Sequence, residues 1–337
     1  MKLKDMEKIA DFTNHRYVIR MMEPSDWLRH YNEGGEVVND FILPRGPREQ
    51  DEFSDTIYHA GTEVPYHWHE NGWETFEVAN GSVDCVVNGV HFILQKGDLL
   101  HLPPYTAHGF TFLEEDTIWR ELFQSMNMSG GIFEKNMVNN NYPERRENEE
   151  FMRMYRPKKL EPRQRPAAWD DPLTDHSEVF QVRTPDFAWT AHEGNGYSLK
   201  LKISKSETGG CKEIWHADLK KGLRAEFAYP HMGYDLYYIQ KGRLELTVDA
   251  THEHKAPQKF IVEGDSIIDI PPCTTYSIKV LEDTALYDYG GAADLQACLE
   301  DLRRIRLDQP ELLENDDEFR AFLRRFKVYC TALSMEG

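Results

Sequence analysis

Residues 61–74 carry metal-ligating residue types at a spacing that a β-barrel can bring together. The side chains of His67 and His69 share one face of a β-strand, because successive strand side chains point to opposite faces. An Asn-Gly dipeptide follows and favours a turn, which would return Glu74 to the same centre. His108, which follows a second turn-rich stretch, is a fourth candidate ligand.

These four side chains predict a site for one divalent transition metal per chain. A lone His-x-His on a strand is usually explained by two exposed or hydrogen-bonded histidines, but four candidate ligands at these spacings favour a metal. Three neutral imidazoles and one carboxylate would leave a divalent ion with a net charge of about +1. That set suits Mn or Fe best here, with Zn, Ni and Co also possible, and an octahedral ion would keep open positions for water or substrate.

The chain contains an internal repeat. Short apolar runs with period-two alternation and turns about every ten residues indicate an antiparallel sandwich or barrel. Residues 61–81 and 222–242 begin and end with glycine at the same separation. Each is followed by a hairpin-forming segment and a Gly-Asp…Pro-Pro stretch, at residues 97–104 and 264–272. The chain therefore holds two copies of one strand-rich unit.

The first copy resembles the cupin superfamily. The two cupin motifs can be written Gly-x5-His-x-His-x(3,4)-Glu-x6-Gly and Gly-x5-Pro-x-Gly-x2-His-x3-Asn. The first copy matches them at Gly61, His67, His69, Glu74, Gly81, Gly97, Pro103 and His108. It departs from the second motif at Tyr105 and Phe112, which concern turn geometry and packing rather than metal chemistry.

The resemblance implies a bicupin with an all-β core of two jelly-roll barrels.

Local patterns predict helices at both ends of the chain. A candidate N-cap at Ser25 predicts a helix near the N-terminus, and apolar residues three or four apart after residue 293 predict C-terminal helices. The predicted organisation is a helical or irregular arm at 1–40, a metal-binding barrel at 41–135, a linker at 136–177, a second barrel at 178–291 and C-terminal helices at 292–337.

The second copy lacks the metal ligands. It carries Ala228, Pro230, Asp235 and Tyr276 where the first copy has its four candidates. Alanine and proline cannot ligate a metal, so we expect only the N-terminal barrel to bind one. A structural or dimerisation role is favoured for the second barrel over separate ligand binding, and a homodimer or higher homo-oligomer is expected because bicupins often pair.

Two further residues are candidate catalytic groups. Arg120, on the strand after His108, is the nearest cation that could orient an anionic or enolate oxygen. His101, on the strand leading to His108, could line the pocket, although a packed or exposed histidine is the better explanation.

Charge and composition limit the class of partner. The formal net charge of −19 disfavours nucleic acid and anionic membranes. The charged N-terminus lacks the apolar core of a secretory signal, and no apolar run is long enough to cross a membrane. The five cysteines form no close pairs, which predicts free thiols in a reducing compartment. We therefore expect a cytoplasmic protein that acts on a small molecule.

Three functions are compatible with the motif. We favour a redox-neutral hydrolase or lyase that acts on a cyclic diketone, enol or polyphenol-derived substrate, by C–C hydrolysis, ring opening or isomerisation through a metal-held enolate. The alternative is a ring-cleaving dioxygenase of the gentisate type, although those enzymes typically use three histidines and no glutamate, whereas Glu74 is present here. The third is a non-enzymatic cupin that binds a small ligand.

Overall fold

The computed structural model describes residues 17–20, 27–32, 35–42, 52–69, 73–124, 180–210, 212–227, 235–250, 255–289 and 293–336. The chain divides into two compact units, residues 1–15 with 22–186 and residues 16–21 with 187–337. The predicted linker at 136–177 lies outside the described residues.

Strands make up most of the described chain. The strands of the first part are β1 (Val18–Arg20), β2 (Trp27–Asn32), β3 (Gly35–Ile42), β4 (Glu52–Tyr58), β5 (Glu63–His67), β6 (Trp73–Asn80), β7 (Ser82–Val87), β8 (Val90–Gln95), β9 (Leu99–Leu102), β10 (His108–Phe112), β11 (Thr117–Gln124) and β12 (Gln181–Arg183). Those of the second part are β13 (Ala191–Gly194), β14 (Tyr197–Ile203), β15 (Ile214–Leu219), β16 (Leu223–Phe227), β17 (Asp235–Val248), β18 (Gln258–Glu263), β19 (Ser266–Ile270), β20 (Tyr276–Asp288) and β21 (Cys330–Met335).

The first unit is a barrel of two antiparallel sheets. One sheet has the order β5-β10-β7-β8, and the other has the order β12-β9-β6-β11-β4-β3-β2. A hairpin turn at Asn88-Gly89 joins β7 to β8, and both residues have positive φ angles, 49° and 77°. A two-residue turn with this backbone matches the right-handed twist of the paired strands, and Asn-Gly is preferred in it because both residues tolerate positive φ.

The core of the first barrel lies between its two sheets. It is mostly aromatic, and the ring of Phe76 stacks on Trp119 at 4.8 Å between centroids. Phe110 packs against the same indole from the facing sheet at 4.9 Å. All three side chains are buried, so they fix the separation of the sheets and position the barrel end where the candidate ligands lie.

The second unit is one curled antiparallel sheet of ten strands, with the main order β1-β19-β17-β20-β15-β14-β13. The predicted alternation is confirmed in β17, where Leu244, Leu246 and Val248 are buried and the residues between them are more exposed. The all-β core of two jelly-roll barrels predicted from the sequence is therefore confirmed.

The prediction of helix near the N-terminus is wrong for the residues that the structure describes there. β2 and β3 form an antiparallel pair, with Trp27 opposite Asp40 and Asn32 opposite Gly35. β3 in turn pairs with β4, which places Val38 opposite Ile57. Aromatic and β-branched residues favour such strands, and pairing with the distant β4 outweighed the local N-cap signal.

The C-terminal prediction is correct for its helices and wrong for its last residues. Two α-helices, α1 (Leu295–Asp308) and α2 (Asp316–Arg325), flank a short 3-10 helix at Pro310–Leu313. The sequence predicts helices over 292–337, but β21 begins at Cys330 and pairs with β16. Strand pairing satisfies the backbone groups of this segment, which a frayed helix end would leave open.

Two other sequence predictions can be compared with the structure. The described cysteines, Cys85, Cys273, Cys298 and Cys330, are free thiols. Within the described residues, no helix combines the length and the apolar character needed to cross a membrane.

Candidate metal centre

The four predicted ligands lie together at one end of the first barrel. His67 ends β5, and His108 begins β10 directly opposite it in the strand register. Glu74 approaches from the other sheet, near the start of β6. His69 lies two residues beyond His67, where the chain leaves the barrel wall. The barrel thus brings together residues up to 41 positions apart in sequence.

A tight turn places His108 beside His69. Tyr105 has a φ of 62°, in the left-handed region where the cupin motif carries glycine. Its backbone N–H donates to the His69 carbonyl oxygen over 2.8 Å. The side chain of Asn88 accepts a hydrogen bond of 3.1 Å from the backbone N–H of Ala107, so the preceding hairpin also supports this turn. A tyrosine can therefore occupy the glycine position, at some conformational cost.

The distances within the cluster are those between ligands of one ion. The Nε2 atoms of His67 and His69 are 3.1 Å apart. The Glu74 carboxylate lies 3.3 Å from His69 Nε2 and 3.4 Å from His108 Nε2. Two ligands bonded to a common ion at about 2.1 Å are about 3.0–3.4 Å apart at octahedral or tetrahedral angles. The donor set and its spacing therefore fit a divalent transition metal.

Backbone carbonyls orient two of the imidazoles. His67 Nδ1 lies 2.6 Å from the Pro65 oxygen, and His108 Nδ1 lies 2.8 Å from the Thr106 oxygen. Each Nδ1–H donates to the carbonyl two residues earlier, which leaves the Nε2 lone pair directed into the cluster. These acceptors could not be predicted from the sequence, because every residue carries a backbone carbonyl and only the fold shows which one faces an imidazole.

Burial keeps the imidazoles neutral. Desolvation lowers the pKa of His67 to about 3, assisted by the neighbouring His69, and lowers the pKa of His69 to about 4. The pKa of His108, which is 1% exposed, also lies well below its usual value because of burial and the other two histidines. Neutral imidazole is the form that binds a metal, so these shifts favour ligation near neutral pH.

Glu74 has the opposite shift. Its side chain is 6% exposed, and burial raises the pKa of its carboxyl group to about 8. Without a cation, the carboxylate would be an uncompensated buried charge, which is strongly unfavourable. A divalent ion among the four side chains would reverse this preference and stabilise the carboxylate.

Aromatic side chains surround the inner side of the cluster. Phe76 and Phe110 lie 6.2 Å and 5.3 Å from the His108 ring, measured between centroids. The described surroundings are thus largely apolar, which limits water access and strengthens electrostatic interactions at the centre.

The structure does not bring Arg120 or His101 to this cluster. His101 hydrogen-bonds to Thr75 over 2.8 Å, and Thr75 lies on the sheet face opposite to that of its neighbour Glu74. The Arg120 guanidinium donates twice to Asp55 at 2.8 Å and once to Glu77 at 3.0 Å. Glu77 is three positions beyond Glu74 and therefore also faces away. We make no catalytic assignment for either residue.

The ligand positions of the second barrel are occupied differently. Asp235 pairs with Ile270 as Glu74 pairs with Leu102. Tyr276 lies opposite Phe227, as His108 lies opposite His67. Residues 228–234, which include Ala228, Pro230 and His231, lie outside the described residues.

Comparison with known proteins agrees with this geometry. Residues 55–119 match the family model of the cupin domain. The first barrel is a cupin domain. This segment contains all four candidate ligands and lies within the barrel predicted at 41–135, and the second barrel completes a bicupin fold. Among curated protein sequences, none matches this chain.

Solved structures with a similar fold include Bacillus subtilis oxalate decarboxylase. A structure from a study of its Mn(II) centres is 14% identical with a TM-score of 0.52, and the similarity covers 100% of this chain and 96% of that chain. A deletion mutant is 15% identical with a TM-score of 0.52, covering 100% and 94%. A mutant with a replaced segment is 15% identical with a TM-score of 0.51, covering 86% and 83%. At this identity the similarity establishes the bicupin fold.

Proposed function

We propose that this chain is a metal-dependent enzyme whose first cupin barrel binds one divalent transition metal through His67, His69, Glu74 and His108. The observation that carries the proposal is the convergence of three neutral imidazoles and one carboxylate. The donor atoms of neighbouring side chains in this cluster are 3.1–3.4 Å apart. Manganese is favoured, because the B. subtilis oxalate decarboxylase that shares the fold has Mn(II) centres. When bound, such an ion supplies Lewis-acid polarisation of a substrate oxygen.

The chain's own residues contribute orientation and exclusion of water. The carbonyls of Pro65 and Thr106 fix the rings of His67 and His108. Phe76 and Phe110 cover the inner side of the centre. A substrate bound at the open positions would therefore react in a partly dry environment, where the charge of the ion is least screened.

We further propose that the reaction is redox-neutral and acts on an oxygen-rich small molecule such as a cyclic diketone, an enol or a polyphenol derivative. Arg120, the cation expected near the centre, is paired with Asp55 and Glu77 on the other sheet face. Among the described residues, this placement leaves the ion itself to hold the substrate oxygens, as expected for an enolate mechanism. In hydrolytic ring opening, water adds to a ring carbonyl, the adjacent C–C bond breaks, a carboxylic acid forms and the released carbon takes a proton.

The test combines metal analysis with product mass. The full chain, purified and reconstituted with Mn²⁺, is incubated with cyclic diketones, polyphenols, gentisate and oxalate, with and without dioxygen. A product that has gained one water without dioxygen supports the proposal. Oxygen uptake with both oxygen atoms in the product would show a dioxygenase, and release of carbon dioxide from oxalate would show a decarboxylase. A protein that binds no stoichiometric metal under any condition would overturn the proposal.

A further inference from the structure

The second barrel contains a large cavity. Its volume is about 510 Å³, and it is partly open to solvent. Small-molecule sites typically have volumes of about 300–1,000 Å³. The cavity is therefore large enough for a small-molecule ligand.

Most of the cavity wall is apolar. Aliphatic side chains from several strands line it, among them Leu199, Leu223 and Val280, and the ring of Trp215 adds an aromatic surface. Leu299 of α1 closes one side. An apolar wall of this kind favours a ligand with an apolar body, because burying that body removes its surface from water.

One end of the cavity is polar, at the position where the first barrel has its metal ligands. Asp235 and Tyr237 both line the cavity. The Tyr276 hydroxyl donates to Asp235 over 2.7 Å, and the hydroxyls of Tyr237 and Tyr276 are 2.7 Å apart. The rings of Phe227 and Tyr276 stack at 4.5 Å. Tyr276 thus occupies the position of His108, and a carboxylate remains at the position of Glu74.

The charges of the lining select the polar group of a ligand. Three carboxylates, Glu213, Asp235 and Asp288, line the cavity together with one cation, Lys327. Acidic groups therefore outnumber basic ones, and a carboxylate or phosphate ligand beside Asp235 would be repelled. A neutral hydroxyl can instead donate to a carboxylate oxygen, and hydrogen bonds to charged acceptors are the stronger class.

We propose that the second barrel is a separate binding site for a small neutral molecule with an apolar, preferably aromatic, body and one hydroxyl group that donates to Asp235. A simple alkylphenol has this chemistry. The inference goes beyond the proposed function of the first barrel, and it replaces the purely structural role that the loss of metal ligands suggested.

The test uses the full chain and three probes of similar shape. Calorimetry measures the binding of para-propylphenol, of propylbenzene, which lacks the hydroxyl, and of para-propylbenzoate, which is anionic. The phenol should bind at least about tenfold more tightly than propylbenzene, since a hydrogen bond to a charged acceptor accounts for about that factor. Absence of phenol binding, or equal binding of the benzoate, would overturn the proposal.

Variants assign the binding to a barrel. Ala225→Trp fills the cavity and should abolish phenol binding, with Ala217→Phe as a second filling variant if the first does not fold. Asp235→Ala should remove most of the preference for the phenol over propylbenzene while propylbenzene still binds. His67→Ala in the first barrel should leave the phenol affinity unchanged. Phenol binding that is lost in His67→Ala, or that persists in both folded filling variants, would contradict the assignment.

Discussion

The Tyr276 hydroxyl donates a 2.7 Å hydrogen bond to Asp235, at the two positions of the second barrel that correspond to His108 and Glu74 of the first. In the first barrel, the equivalent atoms, His108 Nε2 and a Glu74 carboxylate oxygen, are 3.4 Å apart. Tyr276 and Asp235 satisfy each other by a direct hydrogen bond. His108 Nε2 and the Glu74 carboxylate, in contrast, are two acceptors once Glu74 is ionised. The same strand frame therefore supports a self-contained polar pair in one barrel and a pair suited to a cation in the other.

The first prediction concerns metal content. His108→Ala should lower metal affinity by more than the roughly 10–100-fold that loss of an outer-shell partner causes, because it removes a buried donor atom. The matched control is His91→Ala, since the His91 side chain is 64% exposed and lies outside the cluster. Metal per chain is measured by elemental analysis after dialysis. Equal metal content in both variants would remove His108 from the ligand set.

Metal affinity should depend on pH through Glu74. In the metal-free protein the pKa of this carboxyl group is raised by burial to about 8, so ion binding at lower pH must release its proton. Affinity should rise by about tenfold for each pH unit up to about 8 and then level off. Titration of Mn²⁺ against a competing chelator at several pH values measures this slope.

Glu74→Gln tests whether Glu74 causes the pH dependence of Mn²⁺ affinity. Glutamine keeps the shape of the side chain but has no proton to release, so the variant should bind Mn²⁺ more weakly and should lose the pH dependence attributed to Glu74. A slope identical to that of the unaltered protein would show that another group supplies the proton.

The stability of the metal-free protein should change with pH in the opposite direction. The raised pKa means that the folded state holds the Glu74 proton more tightly than the unfolded state does. Protonated Glu74 therefore stabilises the folded state. This stabilisation is full below about pH 4.5, the pKa of the Glu74 carboxyl group in the unfolded chain, and is lost as the pH rises toward about 8. Urea unfolding of the unaltered protein and of Glu74→Gln should diverge over this window, and saturating Mn²⁺ should remove the divergence.

The metal ligands could be predicted from the sequence because the motif encodes their convergence. His67, His69, Glu74 and His108 each sit at a fixed distance from a turn, and the turns set the geometry. The orientation of Arg120 could not be predicted, because it depends on which residue of β6 lies opposite. The observed register pairs Arg120 with Glu77, and a slip of one residue would have turned it to the inner face.

Long-range pairing explains the errors at the two termini. The local pattern of β2 permits a helix, and only its membership of the sheet that contains β3 and β4 makes it a strand. Likewise, β21 pairs Cys330 with Phe227, more than 100 residues earlier in the chain. The cavity of the second barrel could not be predicted from the sequence either. The residues that replace the metal ligands show that metal binding is lost, but they do not show how much space remains inside the barrel.

Arg120 should matter for stability and not for metal binding. Its guanidinium, Asp55 and Glu77 have side chains that are 4%, 0% and 4% exposed. Arg120→Met would leave two buried carboxylates without this cation, and loss of one partner from a buried ion pair costs about 3–5 kcal/mol. Unfolding by urea measures the loss, and metal content of the folded fraction should stay unchanged.

The control for this prediction is an exposed arginine. Arg224 pairs with Glu336 at 3.3 Å, but its side chain is 44% exposed, so Arg224→Met should change stability little. An Arg120→Met protein of unaltered stability that has lost turnover would instead place Arg120 in contact with substrate.

The two glycines that frame the first cupin motif should differ in their tolerance of alanine. Gly61 and Gly81 have similar positive φ angles, 79° and 81°, so each alanine variant should cost about 1–2 kcal/mol from backbone strain. A Cβ atom on Gly61 would meet nothing within 4 Å, whereas one on Gly81 would lie 2.5 Å from Thr117 Oγ1. That hydroxyl donates to the Glu114 carbonyl over 2.7 Å, so moving it breaks a hydrogen bond. Gly81→Ala should therefore unfold at a clearly lower urea concentration than Gly61→Ala, and equal midpoints would show that the strand ends adjust freely.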